Sequence, residues 1–329
     1  MASFRKLKSG KWRAEVCCKG VRRSASFFKK ASAQAWAAQL ESSIYDGSYK
    51  CVSGANKTFG DLLLEYEQRV SAKKKGWKKE SVRIQRFVRD DPICKILVAD
   101  LTTNDFALWR DQRLTEVSAS TVNRELNLLS HALNIAKNEW GWIADSPLKG
   151  LRRPAPAEHR SRLISADEIE RFLFVCGFDE EFFEDSIQTR VAIAFLFAIE
   201  TAMRAGEIVA LTWDFVYFDR RVCFLPDSKT GRSREVPLSE RAIELLKLLS
   251  KNKKNCFNLT SSQLDSHFRK CREKANISDL HFHDTRHEAI TRLSRKVNVL
   301  QLARIVGIRD LKILMVYYNE SVDDIAKNL

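Results

Sequence analysis

The sequence predicts a multidomain protein, mainly α with small β elements. It should hold an N-terminal three-stranded sheet plus helix, then an all-α domain, then a mixed α/β domain. Three observations predict this. A chain of 329 residues is too long for one hydrophobic core, so two or three domains are expected. Two stretches, "DGSYKCVSGANK" and "SPLKGLRRPAPAEHRSR", have the Gly, Pro and charge content of linkers. The apolar period also changes from two near the start to about 3.6 beyond the first linker. The divisions fall at 1–50, 57–150 and 160–329.

The first thirty residues hold ten Lys/Arg against one acid, Glu15. They read as strands over Phe4–Leu7, Trp12–Cys18 and Val21–Phe28, turning at Ser9-Gly10 and Lys19-Gly20. Trp12, Ala14, Val16 and Cys18 alternate with Arg13, Glu15, Cys17 and Lys19, which leaves one face largely apolar. Ser32 can cap a helix whose Trp36, Ala37 and Leu40 cover that face. A small sheet carrying Arg13, Arg22 and Arg23 suits a DNA groove, against the plainer reading of a solvated basic surface.

In the second segment Thr58 caps a helix with Phe59, Leu62, Leu63 and Tyr66 on one face. Helical patterns follow near 80–90, 103–113 and 120–139, the last with Val122, Leu126, Leu129 and Leu133. The run "KKKGWKK" brings Lys74, Lys75, Lys78 and Lys79 around Trp77, a patch suited to phosphate contact.

The third segment opens on the helical "ISADEIERFL". Its "AIAFLFAIETAMRAGEIVALTW" reads as a buried helix broken at Gly206, with Arg204 at the break. "RRVCFLPDSKTGRSREVPLS" reads as a β-hairpin with Lys229 at or beside its tip. In "LHFHDTRHEAITRL", His283 and Arg286 share a helical face. Tyr317 and Tyr318 follow in a helical "LKILMVYYN". Each of these is ordinary by itself.

An excess of 56 Lys+Arg over 42 Asp+Glu, +14 in all, points to a polyanionic partner, nucleic acid before membrane. The longest apolar run, "VAIAFLFAI", is half a membrane span, and "MASFRKLKSG" lacks the apolar stretch of a signal peptide. Eight scattered cysteines without a CxxC form neither a disulfide framework nor a zinc ribbon, so buried thiols in a reducing compartment are expected. "SKTGRS" lacks the order of a P-loop.

Taken in order, the third-segment features resemble the tyrosine recombinase, or phage integrase, family. That family has an Arg in a T-x-x-R-x-x-E context, a hairpin Lys, an H-x-x-R box, an L-G-H loop and a nucleophilic Tyr nine residues after the loop His. Here these read Thr201 to Glu207 with Arg204, Lys229, His283 to Arg286, Val306-Gly307-Ile308, and Tyr317. The basic three-stranded module and the all-α segment are similar to the arm-binding and core-binding domains of lambda-type integrases, so the resemblance covers nearly the whole chain. One departure is plain: Ile308 stands where the family has His, and it cannot hydrogen-bond a phosphate oxygen. Either that donor is dispensable, or Arg309 supplies part of it, or the enzyme is slow. Some members place Trp there, a packing role that Ile can share.

The resemblance implies a site-specific recombinase that integrates or excises a phage or mobile element through a covalent 3′-phosphotyrosine, with no cofactor and no metal. The residue chemistry suits it. Arg204 and Arg286 offer planar cations to a phosphate transition state. A Tyr hydroxyl titrates near ~10, so His283 is the candidate base, Lys229 the candidate acid for the departing 5′ oxygen, and Glu207 an orienting group. Two residues adjacent in a helix point ~100° apart, so only one of Tyr317 and Tyr318 can reach a phosphate. The implied partners are double-stranded DNA at attachment sites and a homotetramer on it, with room for accessory DNA-bending or directionality factors. The apolar stripe Val322, Ile325, Ala326 and Leu329 would dock on a neighbouring protomer. No membrane is involved, and a cytoplasmic, nucleoid-associated location is expected. Two rivals remain: a metallo-nuclease using His281, His283 and His287, which chelation would expose, and a catalytically weak or inactive DNA-binding architectural protein of the same fold.

Overall fold

Alternation of small apolar and charged residues makes the N-terminal strands, and the sheet they form is antiparallel. In the computed structural model the described residues are 2–46, 53–155, 160, 162–226, 233–308, 310, 314, 315, 317 and 326. They divide into two units, Met1–Glu158 and His159–Leu329.

The first unit begins with β1 (Ala2–Lys6), β2 (Trp12–Cys18) and β3 (Val21–Phe27), in that order across the sheet. Ala14, Val16 and Cys18 are buried under α1 (Lys30–Tyr45), where Val16 and Cys18 meet Ala37, Ile44 and the partly buried Trp36 and Leu40. The helix starts before the expected Ser32 cap: Lys29 takes the N-cap place and makes no side-chain cap bond. Packing of Ala33 and Ala37 on the sheet outweighs the cap signal, since tertiary packing supplies most of a helix's stability.

Four further helices make a separate hydrophobic cluster: α2 (Phe59–Arg69), α3 (Trp77–Asp90), α4 (Thr103–Glu116) and α5 (Ala119–Asn138). Thr58 and Thr102 each form a capping box with the Asp three residues on, worth about 1 kcal/mol per cap. Phe59, Leu62, Leu63, Tyr66, Val122, Leu126, Leu129 and Leu133 are all fully buried, so truncating any of the leucines to Ala costs roughly 2–5 kcal/mol. Glu125 lies in this core at 2% exposure, paired with Arg86 at 3.0 Å and Arg113 at 3.0 Å. The segment is also closed at its ends. The Ser53 backbone N–H donates to Gly141 O (3.0 Å), its hydroxyl donates to Trp140 O (3.1 Å), and Gly54 lies so close to Trp142 that a Cβ would stand 2.6 Å away.

The second unit is built on α7 (Ile187–Thr201), which follows α6 (Ala166–Val175). Ten of the fifteen residues of α7 are buried, because helices pack against it from several sides. It is followed by α8 (Ala205–Ala210) and a sheet of β4 (Val216–Tyr217), β5 (Val222–Leu225) and β6 (Arg234–Pro237) in that order. Then come α9 (Glu240–Leu248), α10 (Ser261–Lys274), α11 (Asp284–Ser294) and α12 (Val299–Val306). A smaller cluster of Ala202, Ala289, Ile290, Leu302, Val306 and Leu314 joins the end of α7 to α11 and α12, with Ile308 and Tyr317 packed on it. Leu314 and Met315 are helical and Tyr317 sits in a turn; of the terminal stripe only Ala326 is among the described residues. No helix among the described residues is long and apolar enough to cross a membrane.

Candidate active site

The chain breaks helix immediately before Arg204. Ala202 caps α7 in the left-handed region at φ 55°, and Arg204 follows in extended backbone. This corrects the break expected at Gly206, which lies inside α8. Glycine was the obvious breaker, but capping decides the place. The Arg204 backbone N–H donates to Glu207 Oε2 at 2.9 Å, which starts α8 and aims the Arg204 side chain out of the core. Arg204 Nη1 also donates to Glu207 Oε1 at 3.0 Å, and its side chain stays 30% exposed.

Arg286 is the opposite case, at 4% exposure. Its Nη1 donates to Ala202 O and its Nη2 to Val306 O, the latter at 2.7 Å. One guanidinium thus ties the turn before Arg204 and the turn before Ile308 to α11. Burial, then the nearby Arg204 charge, pulls Arg286 down to about 10, which still leaves it cationic at neutral pH. The start of α11 is itself pinned: Arg160 donates to Asp284 at 2.6 and 2.9 Å, and Asp284 accepts the His281 N–H at 2.8 Å.

Arg234, on β6, donates to Glu207 through both terminal nitrogens at 2.8 and 2.7 Å. Against the pull of burial, these bonds and the Arg204 backbone N–H hold Glu207 down at about 2. The stem of Arg234 supports Gly307, whose φ of +67° ends α12.

Tyr317 packs against His287, ring centroids 4.7 Å apart. His287 is 7% exposed and neither ring nitrogen has a hydrogen-bond partner; burial holds its imidazole below the usual histidine value. His283 precedes α11 and reaches solvent. The surrounding protein and the Arg286 charge still depress it below the ordinary histidine range. Arg286 feels the charges of Arg204, Glu207, Arg234 and Tyr317, and His283 those of Arg286 and Arg204. Side chains from four distant stretches therefore share one electrostatic site. Ile308 is near it but packs into the small apolar cluster. Lys229, Arg309 and Tyr318 lie outside the described residues.

Residues 162–323 match the phage integrase family. A predicted integrase/recombinase of Haemophilus influenzae is 42% identical over 321 residues, covering 95% of this chain and 86% of that protein. The chain belongs to the phage integrase family, the tyrosine recombinases. A shufflon-specific DNA recombinase of Escherichia coli is 36% identical, over 78% of this chain and 67% of its own. Among solved structures, a lambda integrase dimer bound to a COC' core site is 18% identical and superposes with a TM-score of 0.65. That match covers 97% of this chain and 96% of the other, and it shows a shared fold.

The basic residues of this integrase-family chain divide on inspection. Arg13 and Arg22 lie on the sheet face away from α1, bonded to Ser24 (2.9 Å) and Glu15 (2.6 Å). Arg23 is opposite Val16 in the register, so it lies on the helix-covered face. Lys78 and Lys79 are exposed, as is Lys75, which has interactions of its own. Lys74 turns inward and donates to Tyr66 Oη (2.6 Å) and Glu80 (2.7 Å), so internal partners take up its charge. Among the described residues no cluster of three His, Cys, Asp or Glu could hold a metal. His281 and His283 are exposed while His287 is buried.

Sequence reading missed Arg234 and took His287 only as a metal ligand. Arg234 had left a signal. In "REVP" it alternates in phase with the buried Val236, while Glu235 and Pro237 face out. A charged residue on the inward phase of a strand requires a buried counter-ion.

Proposed function

We propose that the chain is a site-specific DNA recombinase that integrates or excises a phage or mobile element. The observation that carries this is the convergence of Arg204, His283, Arg286 and Tyr317. Tyr317 Oη attacks the scissile phosphorus, forms a 3′-phosphotyrosine and frees a 5′ hydroxyl. His283, kept neutral at pH 7 by its depressed pKa, accepts the phenolic proton. Lys229 protonates the leaving 5′ oxygen. Arg204 and Arg286 stabilise the non-bridging oxygens, where fixed cations serve best in a partly dehydrated site. Attack on the phosphotyrosine by another 5′ hydroxyl rejoins the strands, so the bond energy is kept.

Under this reading residues 1–50 bind arm-type DNA, 57–150 bind the core site and 160–329 catalyse. The partner is double-stranded attachment-site DNA, and the working form is a homotetramer in the cytoplasm. Solved lambda integrases bound to a core site and, as a tetramer, to a Holliday junction support the DNA and assembly parts. Open-face Arg13 and Arg22 with exposed Lys78 and Lys79 are the proposed backbone contacts.

The test is a nicked attachment-site substrate that traps the covalent intermediate. Tyr317→Phe should abolish the DNA–protein adduct while DNA binding persists, and Tyr318→Phe should retain it. An adduct that survives both substitutions would remove the tyrosine mechanism. Ile308 in place of a phosphate donor favours a second reading, a catalytically weak or inactive architectural protein. Wild-type protein that binds the site and never forms adduct would establish that one.

A further inference from the structure

We propose that Arg234 is a positioning residue for strand cleavage: it takes up the charge of Glu207, so that Arg204 keeps its own charge for the scissile phosphate. This rests on the reading of Arg204 as a phosphate ligand. Glu207 lies between two guanidiniums that hold it unequally. Arg234 grips it with both terminal nitrogens, at 2.8 and 2.7 Å, and the two side chains are only 10% and 9% exposed. Arg204 reaches it with one side-chain nitrogen at 3.0 Å and stays 30% exposed. A buried bidentate pair outweighs a more exposed single contact, so the carboxylate charge is spent on Arg234. Without Arg234, Glu207 would have Arg204 as its nearest counter-ion, and a phosphate would have to compete with a carboxylate for it.

The same side chain sets the turn ahead of Tyr317. A Cβ at Gly307 would stand 3.0 Å from Arg234 Cδ and 3.3 Å from its Nε. The Val306 carbonyl beside that glycine accepts from Arg286. The turn is therefore held between two guanidiniums, one bonding its carbonyl and one filling the space beneath it. Arg234 begins β6, which pairs antiparallel with β5. A shift there moves the hairpin strand, the Glu207 carboxylate and the Gly307 turn together.

The experiment compares wild type, Arg234→Met, Arg234→Lys, Glu207→Gln and the Arg234→Met/Glu207→Gln double variant on the nicked substrate. Adduct formation and the salt dependence of core-site binding are both read. Arg234→Met should lower the adduct rate by about 10- to 100-fold, within the range for losing one preorganised cation. Its salt slope should fall by about one phosphate contact. The double variant should recover at least about 5-fold over Arg234→Met and regain the slope, since it lacks the competing carboxylate, an interaction energy that only coupled sites show. Arg234→Lys, a point charge without the fork, should fall between. A purely structural Arg234 would give a double variant no better than the single one, and that result overturns the proposal. If Arg234→Met does not fold, the comparison of Arg234→Lys with Arg234→Lys/Glu207→Gln decides by the same criterion. Wild type without any Tyr317-dependent adduct would sink the recombinase reading instead, and the salt slopes would still judge Arg234.

Discussion

Glu125 in the helical segment and Glu207 in the second unit are each held by two arginines, yet their surroundings carry opposite charge. Around Glu125, Arg86 also faces Asp91 at 4.0 Å and Arg113 also bonds Glu116. Three carboxylates there answer two guanidiniums. Around Glu207, the guanidiniums of Arg204, Arg234 and Arg286 answer one carboxylate. The carboxylate pKa values differ accordingly. Asp91 is pushed up to about 6 by burial, with Glu125 and Glu116 adding repulsion, and Glu207 is held at about 2. The same ion-pair chemistry thus closes upon itself in one place and in the other leaves positive charge to offer an anion. A buried charge network is evidence of a binding site only when its charges fail to cancel among its own members.

Removing one arginine from each cluster should give the largest effects and should separate them. Arg204→Met is expected to lower adduct formation by about 10²- to 10³-fold with little change in the thermal midpoint, since Arg234 still holds Glu207. Arg113→Met should cost about 3–5 kcal/mol of stability by leaving Glu125 underpaired in the core, while adduct formation per folded molecule stays as in wild type. Interchanged outcomes in melts and trapping assays would break the comparison.

Acid and base should then act with opposite sign on the two clusters. Glu207 has a depressed pKa, so its contribution is present above the ordinary carboxylate range and lost as pH falls toward about 2; the loss is on the order of 3 kcal/mol. Asp91 has a raised one, so its stabilising effect is full below its ordinary value and lost as pH rises through about 6. Asp91→Asn should therefore stabilise the first unit by roughly 1–3 kcal/mol at pH 8 and not at pH 4, as melts at the two pH values will show. No gain at pH 8 would mean that neither burial nor the neighbouring carboxylates penalise the Asp91 charge.

The smallest effect is expected at the edge of the basic cluster. Ile308→His should raise the cleavage rate by up to ~10-fold if a phosphate donor is what that position lacks. A slower enzyme with a lower melting point would show that its packing on the small apolar cluster matters more.

Much of this was legible in one dimension. The order of Arg204, Lys229, His283, Arg286 and Tyr317 stands out in the sequence because motif spacing is itself linear, and the helical faces around Leu62 and Leu126 follow from periodicity. What was lost depends on partners and faces that no single local period shows. Lys74, read as a phosphate contact, also donates to Glu80 and Tyr66. Arg23 followed Arg22 in the chain but fell on the other face of the sheet. The helix break moved from Gly206 to Ala202, whose left-handed backbone is held by an Arg286 bond spanning 84 residues. Glu207 and Arg234 are 27 residues apart, and no local pattern joins them.

The stitching of Ser53 and Gly54 to Trp140, Gly141 and Trp142 has a consequence for how such proteins can be rearranged. The polypeptide enters and leaves the four-helix segment at a single point, so the segment hangs on the chain like a loop with tied ends. A module attached that way can be lifted out and replaced by another of different sequence without changing the span its flanks must bridge. Under the proposed function, transplanting residues 53–143 between relatives is therefore a route to hybrids that meet a new DNA sequence with the residues of the candidate active site unaltered. The graft should tolerate wide divergence among its surface lysines and little at Gly54, where any side chain would collide with Trp142.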